Sequence, residues 1–536
     1  MTTISPGRRI IKDGFLLVLS ACLYTLAYPP YEWSAAAWVA LAPLLLVLRG
    51  KTWGSAFVIG FLFCLLCGNG VTYWLYPSVS AYFSFAFPIN ILGTSMMWAI
   101  FACPYMGLAA SLSALLMRRG PSVWCWVGIP AAWVSSEFAR SNLFSGFAWA
   151  ELGHTHYLHL TLIQIADITG VYGLSFLMVL SSYIVAEVLV TWRRHPDRRW
   201  RLALPWPAMG LLAASITLVL LYGTLRLHQY RLPPSESSAS TVTPEPLTVA
   251  LATSHTPSAR RWQRVHYARN LLNYMGVTRQ GIAGRQPDLI VWPEFAVGFY
   301  LEQEPALRAQ LGRFARRVNA SLLLGAPRMA TSETGSQYYN AAYLISGNGN
   351  LLDIYDKIRL IPFAEFRPFS LPALVAHRHE RPSLFTPGER LTVFDSPKGD
   401  FGVMICYEAT YPHLARRLVR RGAQFLVNIS SDVWFEKSGA TAAQQHFSMT
   451  VFRAVETKRT LARVSTSGLS GFVDPTGRVY HLSTADTGVT IGEVVPGREM
   501  TFYTRYGDWF AWTCTGFALV AMIGPVQRPV RARSRS

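Results

Sequence analysis

The stretch DFGVMICYEATYP, residues 400–412, decides the fold of the second half of the chain. Its apolar run ends abruptly at Cys406, Tyr407 and Glu408, and Pro412 follows shortly after. A short apolar run bounded by turn residues is typical of a buried strand that presents its last side chain at a turn. Cys406 is therefore a candidate nucleophile, although packing alone would explain a lone cysteine at a strand end equally well.

Similar short apolar runs alternate with helical, charged stretches on both sides of this segment. They include LTVALAT, PDLIVWPE, SLLLGAP, YNAAYLIS and QFLVNIS. Strands of this length that alternate with helices predict an α/β layered domain. A linker rich in Pro and Ser, RLPPSESSASTVTPEP, opens the region at residue 231. We therefore predict an α/β domain over residues 231–505.

Long apolar runs dominate the rest of the chain. Several of them approach or exceed the ~20 residues that a helix needs to cross the hydrocarbon core of a membrane. The runs lie at Phe15–Tyr28, Ala35–Leu48, Ala56–Trp74, Ile89–Leu116, Val123–Val134, Val171–Val190, Pro207–Leu225 and Trp509–Gly524. We predict about eight spans, seven in an N-terminal membrane domain (residues 1–230) and one in a C-terminal segment with a basic tail (residues 506–536).

Basic residues lie in every second connection between these runs. They collect before the first run, after the second, fourth and sixth, and in the tail, whereas the connections near Pro29, Tyr76 and Ser141 carry few charges. Loops that stay in the cytoplasm are enriched in Lys and Arg. Both termini are therefore expected in the cytoplasm, and the α/β domain is expected on the other side of the membrane.

Composition favours a membrane protein over a nucleic-acid-binding one. Hydrophobic residues make up 51% of the chain, and charged residues make up 15%, below the roughly 25% usual in soluble domains. The net charge of +19 falls in short clusters between apolar runs and not along one phosphate-binding face. Six of the seven cysteines lie in or beside apolar segments, which leaves Cys406 as the only thiol of the exported domain. The twelve histidines have no metal-ligand spacing, so we expect neither a metal nor another cofactor.

Two further polar residues end or follow apolar strands. Glu294 ends PDLIVWPE, where Trp292 and Phe295 would shield its carboxylate from water and suit it to accept a thiol proton. Lys357 follows LLDIYD, and an ammonium beside a thiol favours the thiolate and can stabilise an oxyanion. In isolation each could be an ordinary surface residue. Glu294, Lys357 and Cys406 together, each in a distinctive string, indicate a catalytic site far more specifically than any one of them.

The strings VWPE (291–294), YDKIRLIPFAEFRP (355–368) and ICYEATYP (405–412) resemble the three catalytic stretches of the nitrilase superfamily. In that superfamily an αββα sandwich holds a Glu base, a Lys that stabilises the oxyanion and a Cys nucleophile. These roles fall here on Glu294, Lys357 and Cys406. In the membrane half, WVSSEFARSNLFSGFAWAELGHT (133–155) is similar to the membrane-bound branch, the apolipoprotein N-acyltransferase family.

The resemblance implies roles for four more residues. Glu365 would hold Lys357 or polarise the acyl donor. Tyr407 and Glu408 would shape the pocket of the thiol. Trp262 would belong to a mobile loop near the site, with simple packing as the alternative.

Several positions around the predicted site depart from the family pattern. They are Ala252–His255, Arg359, Ala364, Phe366, Glu436 and Thr466. None of them replaces a residue of the predicted triad, so they bear on donor preference, acceptor preference and efficiency. Separately, the stretch Ala376–Phe385 is a candidate lid or an ordinary basic loop.

The resemblance implies a two-step acyl transfer at a bacterial inner membrane, with a periplasmic catalytic domain. Cys406 would take a fatty acyl group from a phospholipid, with phosphatidylethanolamine as the favoured donor. The thioester would pass it to the N-terminal amine of diacylglyceryl-cysteine on an apolipoprotein. A monomer is expected. The alternatives are a membrane-bound amidase, nitrilase or lipid deacylase that uses water, and a catalytically altered lipoprotein-binding paralogue.

Overall fold

The computed structural model describes residues 6–83, 87–118, 122–194, 201, 204–230, 245–255, 262–332, 335–367, 384–432 and 440–523. The described residues cluster into two compact units. The first unit takes those within Met1–Tyr73, Pro88–Thr224 and Asp508–Ser536, and the second takes those within Trp74–Phe87 and Leu225–Gly507. Residues 74–87 belong to the predicted membrane domain (residues 1–230), and their described part clusters with the second unit.

The helices coincide with the apolar runs of the membrane segments and, in the α/β domain, with charged stretches between the strands. In chain order they are α1 (Pro6–Leu26), α2 (Ser34–Ala37), α3 (Ala42–Leu48), α4 (Trp53–Val71), α5 (Leu75–Phe83), α6 (Ile89–Phe101), α7 (Cys103–Met117), α8 (Val123–Asn142), α9 (Leu160–Ile163), α10 (Ala166–Thr169), α11 (Tyr172–Arg194), α12 (Trp206–Gln229), α13 (Tyr267–Gly281), α14 (Pro305–Val318), α15 (Pro412–Arg420), α16 (Thr441–Thr457), α17 (Phe502–Tyr506) and α18 (Trp509–Ile523).

Within the described residues, α4, α11 and α12 are long and apolar enough to cross a membrane, and α6 with α7 adds a fourth candidate if the two form one span. The pair α6 and α7 is bent by 53°. Pro104 lies in the first turn of α7, where proline is tolerated because its missing N–H has no helical partner there. Helices cover most of the described part of each predicted run, and several apolar helices support a membrane protein.

The strands of the second unit form two six-stranded sheets. The first has the order β12-β1-β2-β3-β4-β5 and the second the order β11-β10-β9-β8-β7-β6. The strands are β1 (Leu247–Thr253), β2 (Leu289–Val291), β3 (Ser321–Ser332), β4 (Gly335–Ile345), β5 (Leu351–Asp356), β6 (Val393–Phe394), β7 (Phe401–Ile405), β8 (Phe425–Ser430), β9 (Leu461–Ser465), β10 (Ser470–Val473), β11 (Val479–Ser483) and β12 (Gly488–Val494).

The two sheets pack face to face around one hydrophobic core. Side chains alternate between the faces of a strand, so Val249 and Leu251 of β1 join Val403 and Val427 of the other sheet in this core. On the opposite face of β1, Ala250 packs in a second cluster with residues of α13 and α14. Helices α15 and α16 lie against the second sheet. The α/β domain expected from the sequence is thereby confirmed, with its layers in the order αββα.

Candidate active site

Glu294 and Lys357 lie at the same edge of the first sheet. Glu294 follows β2, and Lys357 follows β5, which runs in the same direction as β2. Nζ of Lys357 is 3.2 Å from Oε1 of Glu294, and both side chains are almost fully buried. Two residues 63 positions apart thus form a buried ion pair at the ends of two strands.

Two more side chains complete a network around this pair. Nζ of Lys357 also donates to Oε1 of Glu365 at 2.9 Å. The Nδ2 amide of Asn340, on β4, donates to Oε1 of Glu294 at 2.7 Å and to Oε1 of Glu365 at 2.9 Å. Asn340 thereby holds the two carboxylates beside the single ammonium.

The charge balance of this network keeps Lys357 protonated. Burial alone would lower the pKa of Lys357, because it disfavours a charged group. The carboxylates of Glu294 and Glu365 outweigh burial and raise that pKa above its ordinary value. Lys357 is therefore a permanent ammonium, suited to stabilise an oxyanion and not to act as a base.

Cys406 follows β7 directly and has a left-handed backbone, with φ of +52°. Few residues other than glycine adopt this conformation, and residues that do so often lie at functional sites. Its carbonyl oxygen contacts two buried side chains, Nε2 of His446 at 3.1 Å and Nδ2 of Asn428 at 3.4 Å. These contacts fix the turn that carries the thiol.

The thiol of Cys406 is held in its neutral form. Burial raises its pKa most, and the negative charge of Glu294 raises it further, while Lys357 and a hydrogen bond with Ser430 oppose the rise. The pKa stays above the ordinary thiol value, so a base must take the proton before the sulfur can attack. The negative charge of Glu294 therefore influences the thiol, and the same carboxylate forms the ion pair with Lys357.

Behind Cys406 lies a second buried network, built on β8, β9 and α16. Arg463 donates to Asn428, to Oδ2 of Asp432 at 2.9 Å and to Nδ1 of His446 at 3.2 Å. Burial would raise the pKa of Asp432, but the positive charge of Arg463 holds it below its ordinary value. Asp432 therefore balances the charge of Arg463 behind the turn.

Glu408 joins the two sheets at the site. Its Oε1 accepts hydrogen bonds from the hydroxyl of Tyr355 at 2.8 Å and from the backbone N–H groups of Ile358 at 2.7 Å and Arg359 at 3.0 Å. Its Oε2 accepts one from the backbone N–H of Ile405 at 2.8 Å. One buried carboxylate thus fixes the segments that carry Lys357 and Cys406.

The two predicted aromatic residues occupy the surroundings of the network. The ring of Trp262 lies 5.1 Å from that of Phe295, next to Glu294, in a cluster that also contains Phe385. The buried ring of Tyr407 lies edge-on against Tyr411 at 5.2 Å.

Three of the described departures from the family pattern contact residues of this site or its surroundings. Phe366 packs with the Trp262 cluster, Arg359 stacks over Tyr411, and the hydroxyl of Thr466 donates to the carbonyl oxygen of Glu294 at 3.4 Å. Glu436 and residues 376–383 of the candidate lid lie outside the described residues.

Sequence reasoning missed Asn340 and Arg463 as members of the site. Both lie inside strands, in YNAAYLI and LARVS, and not at strand ends. A polar side chain fully buried within an apolar strand was the available signal. In the part of the chain that is described, no group of three or more His, Cys, Asp or Glu residues could hold a metal ion.

Family models match both halves of the chain. The family model for the apolipoprotein N-acyltransferase N-terminal domain matches residues 20–184, and the model for carbon-nitrogen hydrolases matches residues 248–499. A solved structure of Saccharomyces cerevisiae Nit3, a member of branch 10 of the nitrilase superfamily, covers 56% of this chain and 100% of its own, at 20% identity and a TM-score of 0.37.

Two relatives are similar over almost their whole length. An apolipoprotein N-acyltransferase of Geobacter metallireducens is 35% identical over 96% of this chain and 95% of its own. One of Azotobacter vinelandii is 30% identical over 95% of this chain and 94% of its own. The chain therefore belongs to the apolipoprotein N-acyltransferase family.

Proposed function

We propose that this chain is a phospholipid to apolipoprotein N-acyltransferase in which Cys406 carries the acyl group as a thioester. Membership of the family supports the reaction, and the buried Glu294–Lys357 pair beside Cys406 is the observation that carries the assignment of roles. Its substrates are a phospholipid and a lipoprotein.

In the first half-reaction Glu294 takes the proton of the Cys406 thiol. The thiolate attacks an ester carbonyl of the phospholipid, and Lys357 stabilises the negative oxygen of the tetrahedral intermediate. The C–O bond of the ester then breaks, and the proton on Glu294 goes to the leaving alkoxide. A lysophospholipid departs and the acyl group stays on sulfur.

In the second half-reaction an amine replaces the alkoxide. The N-terminal amine of the diacylglyceryl-cysteine attacks the thioester carbonyl, and Glu294 accepts its proton. The C–S bond breaks, the amide forms, and the proton returns to the sulfur. Glu365 and Asn340 support this cycle because they hold the ammonium and the carboxylate together.

For the setting, we propose about eight spans, cytoplasmic termini and a periplasmic catalytic domain in a bacterial inner membrane. The predicted domain limits are 1–230, 231–505 and 506–536. Basic residues in alternate connections support this arrangement. A reporter enzyme that is active only outside the cytoplasm should be active when fused after residue 235 and inactive when fused after residue 197. The reverse pattern would overturn the topology.

The favoured donor is phosphatidylethanolamine, and the working unit is a monomer. Mass spectrometry of the purified protein after incubation with this lipid tests the chemistry. We expect a fatty-acyl mass on the peptide that contains Cys406, and its loss when a diacylated lipopeptide is added. Release of free fatty acid without the lipopeptide would indicate a hydrolase instead. Full lipoprotein maturation by Cys406→Ser would indicate a non-catalytic paralogue.

A further inference from the structure

A group of basic side chains lies beside the turn that carries Cys406. Its members are Arg359, two residues after Lys357, and His413, Arg416 and Arg417 on the polar face of α15. We call these four residues the arginine cluster. The apolar face of the same helix is buried, so the polar face is left for Arg416 and the exposed Arg417.

Two members of the cluster, Arg359 and His413, contact residues in or next to the turn that carries Cys406. The guanidinium carbon of Arg359 lies 5.3 Å from the centre of the Tyr411 ring, and the backbone N–H of Arg359 donates to Glu408. The ring of His413 lies 5.6 Å from the same Tyr411 ring. The backbone of Arg359 is therefore separated from the Cys406 turn by a single carboxylate.

These guanidinium groups differ from three other buried or half-buried arginines of the second unit. Arg328, Arg453 and Arg463 each pair with a carboxylate within 3 Å. Within the described part of the chain, Arg359, Arg416 and Arg417 form no ion pair with a carboxylate. The Nε atom of Arg416 is buried and has no hydrogen-bond partner among the described residues.

Burial and the positive charge of these arginines lower the pKa of the neighbouring His413. Burial lowers this pKa most, and together with the positive charges of Arg359, Arg417 and Arg416 it brings the pKa of His413 to about 3. A positive field of this kind favours an anion over a further cation. The first turn of α15 begins at Pro412, and the N-terminal end of a helix also favours negative charge.

We propose that Arg359, Arg416 and Arg417 bind the phosphate group of the donor phospholipid while its ester carbonyl lies at Cys406. Guanidinium groups bind phosphate oxygens through paired hydrogen bonds, whereas a Lys ammonium attracts a phosphate only as a compact point charge. This inference rests on the proposed function, because it assigns the headgroup end of the same lipid. The phosphate and the ester of a phospholipid are attached to the same glycerol, so the sites that bind them must lie close together. The arginine cluster meets this requirement, because only the Glu408 carboxylate lies between the backbone of Arg359 and the Cys406 turn.

The test separates phosphate binding from chemistry by comparing two acyl donors. Wild type and Arg359→Gln are incubated with phosphatidylethanolamine and with a p-nitrophenyl fatty ester, which has no phosphate, and acylation of Cys406 is followed by mass spectrometry. We expect Arg359→Gln to raise the KM for the phospholipid roughly ten- to hundredfold, and to leave the reaction of the fatty ester unchanged. Arg359→Lys should restore part of the loss.

Arg420→Gln is the matched control, since Arg420 lies on the same helix outside the cluster. Arg416→Gln should act like Arg359→Gln. An unchanged KM for the phospholipid, or an equal loss with both donors, would overturn the inference.

A second measurement does not depend on turnover. An ether-linked phosphatidylethanolamine has the phosphate but no cleavable ester, so native mass spectrometry should detect it on wild type and much less of it on Arg359→Gln. The ether lipid should also inhibit acylation competitively and so raise the apparent KM for the phospholipid donor. An ether lipid that bound only elsewhere on the protein surface would leave that KM unchanged. If the ether lipid binds but Cys406 is never acylated, the proposed function fails and the phosphate site stands.

Discussion

Nε2 of His446 lies 3.1 Å from the carbonyl oxygen of Cys406. Arg463, whose guanidinium can only donate hydrogen bonds, contacts Nδ1 of the same ring at 3.2 Å. Nδ1 must therefore accept, so Nε2 carries the hydrogen and donates it to Cys406. Burial and Arg463 also lower the pKa of His446, which keeps the ring neutral. His446 is thus a positioning residue for Cys406, the proposed nucleophile, and not a proton carrier.

Replacing His446 by alanine should slow acylation of Cys406 without weakening donor binding. The loss of one buried hydrogen bond costs about 1–3 kcal/mol, which corresponds to about a ten- to hundredfold lower rate constant if the turn must be re-formed for attack. Stopped incubations followed by mass spectrometry give kcat and KM for acyl-enzyme formation. His446→Gln, whose amide can still donate, should recover part of the rate.

Ser448→Ala is a suitable control for His446, because among the described residues the Ser448 hydroxyl donates within its own helix, to the carbonyl oxygen of Gln445. A rise in KM with an unchanged kcat in His446→Ala would contradict the positioning role. Equal rates for the alanine and glutamine variants would contradict the hydrogen-bond argument.

Asn340 should be essential for the stability of the carboxylate network. Asn340→Ala leaves Glu294 and Glu365 with one donor fewer, and we expect a loss of about 1–3 kcal/mol in unfolding free energy. Asn340→Asp should be worse, because it adds a third carboxylate beside one ammonium. Thermal unfolding in detergent measures both variants, with Asn350→Ala at an exposed turn as the control. Greater stability in Asn340→Asp than in Asn340→Ala would refute this account.

The strand ends could be predicted from the sequence, but their partners could not. Glu294 and Cys406 each follow a short apolar string, so the local pattern is sufficient to find them. Asn340 lies within β4 and contacts a residue 46 positions away, and such a contact depends on how the strands pair. Arg463 is hidden in β9 for the same reason.

Apolar runs likewise predicted where the helices of the first unit lie but not where they break. The run Ile89–Leu116 reads as one span, yet it forms two helices with a bend of 53°. The break falls at Ala102, just before the first turn of α7, which contains Pro104. A hydropathy pattern cannot register this break, because proline interrupts the hydrogen bonding of the helix without changing its apolar character.

Removing the charge of Glu294 should separate thiol ionisation from acyl transfer. In wild type the negative Glu294 disfavours a second anion and so helps to raise the pKa of Cys406. In Glu294→Gln that charge is absent and Lys357 remains, so the pKa of Cys406 should fall. Alkylation of Cys406 by iodoacetamide should therefore begin at a lower pH than in wild type. Acylation by phospholipid should nevertheless fall at least about 100-fold, because the base is lost.

Glu304→Gln, which alters a surface carboxylate paired with the exposed Arg264, should change neither the labelling profile nor the acylation rate. If alkylation of Glu294→Gln shifted to higher pH, the electrostatic role of Glu294 would be wrong. If its acylation rate were unchanged, another group would be the base.

Glu408 should couple the stability of the fold to the placement of the nucleophile. Both carboxylate oxygens accept hydrogen bonds, one from Tyr355, Ile358 and Arg359 and the other from Ile405. In Glu408→Gln one oxygen becomes an NH2 group, which cannot accept. With the amide oxygen kept toward the three donors, the N–H of Ile405 loses its partner next to Cys406.

We expect Glu408→Gln to lose about 1–3 kcal/mol of unfolding free energy and to acylate Cys406 more slowly at an unchanged donor KM. Tyr355→Phe is the matched comparison, because it removes one donor from an oxygen that keeps two backbone donors. It should cost about 1 kcal/mol and leave the acylation rate near that of wild type. Unfolding midpoints and single-turnover acylation measure the two effects separately. A stable Glu408→Gln with slow acylation would place Glu408 in direct contact with substrate, whereas full activity would show that the turn at Cys406 holds its geometry without this carboxylate.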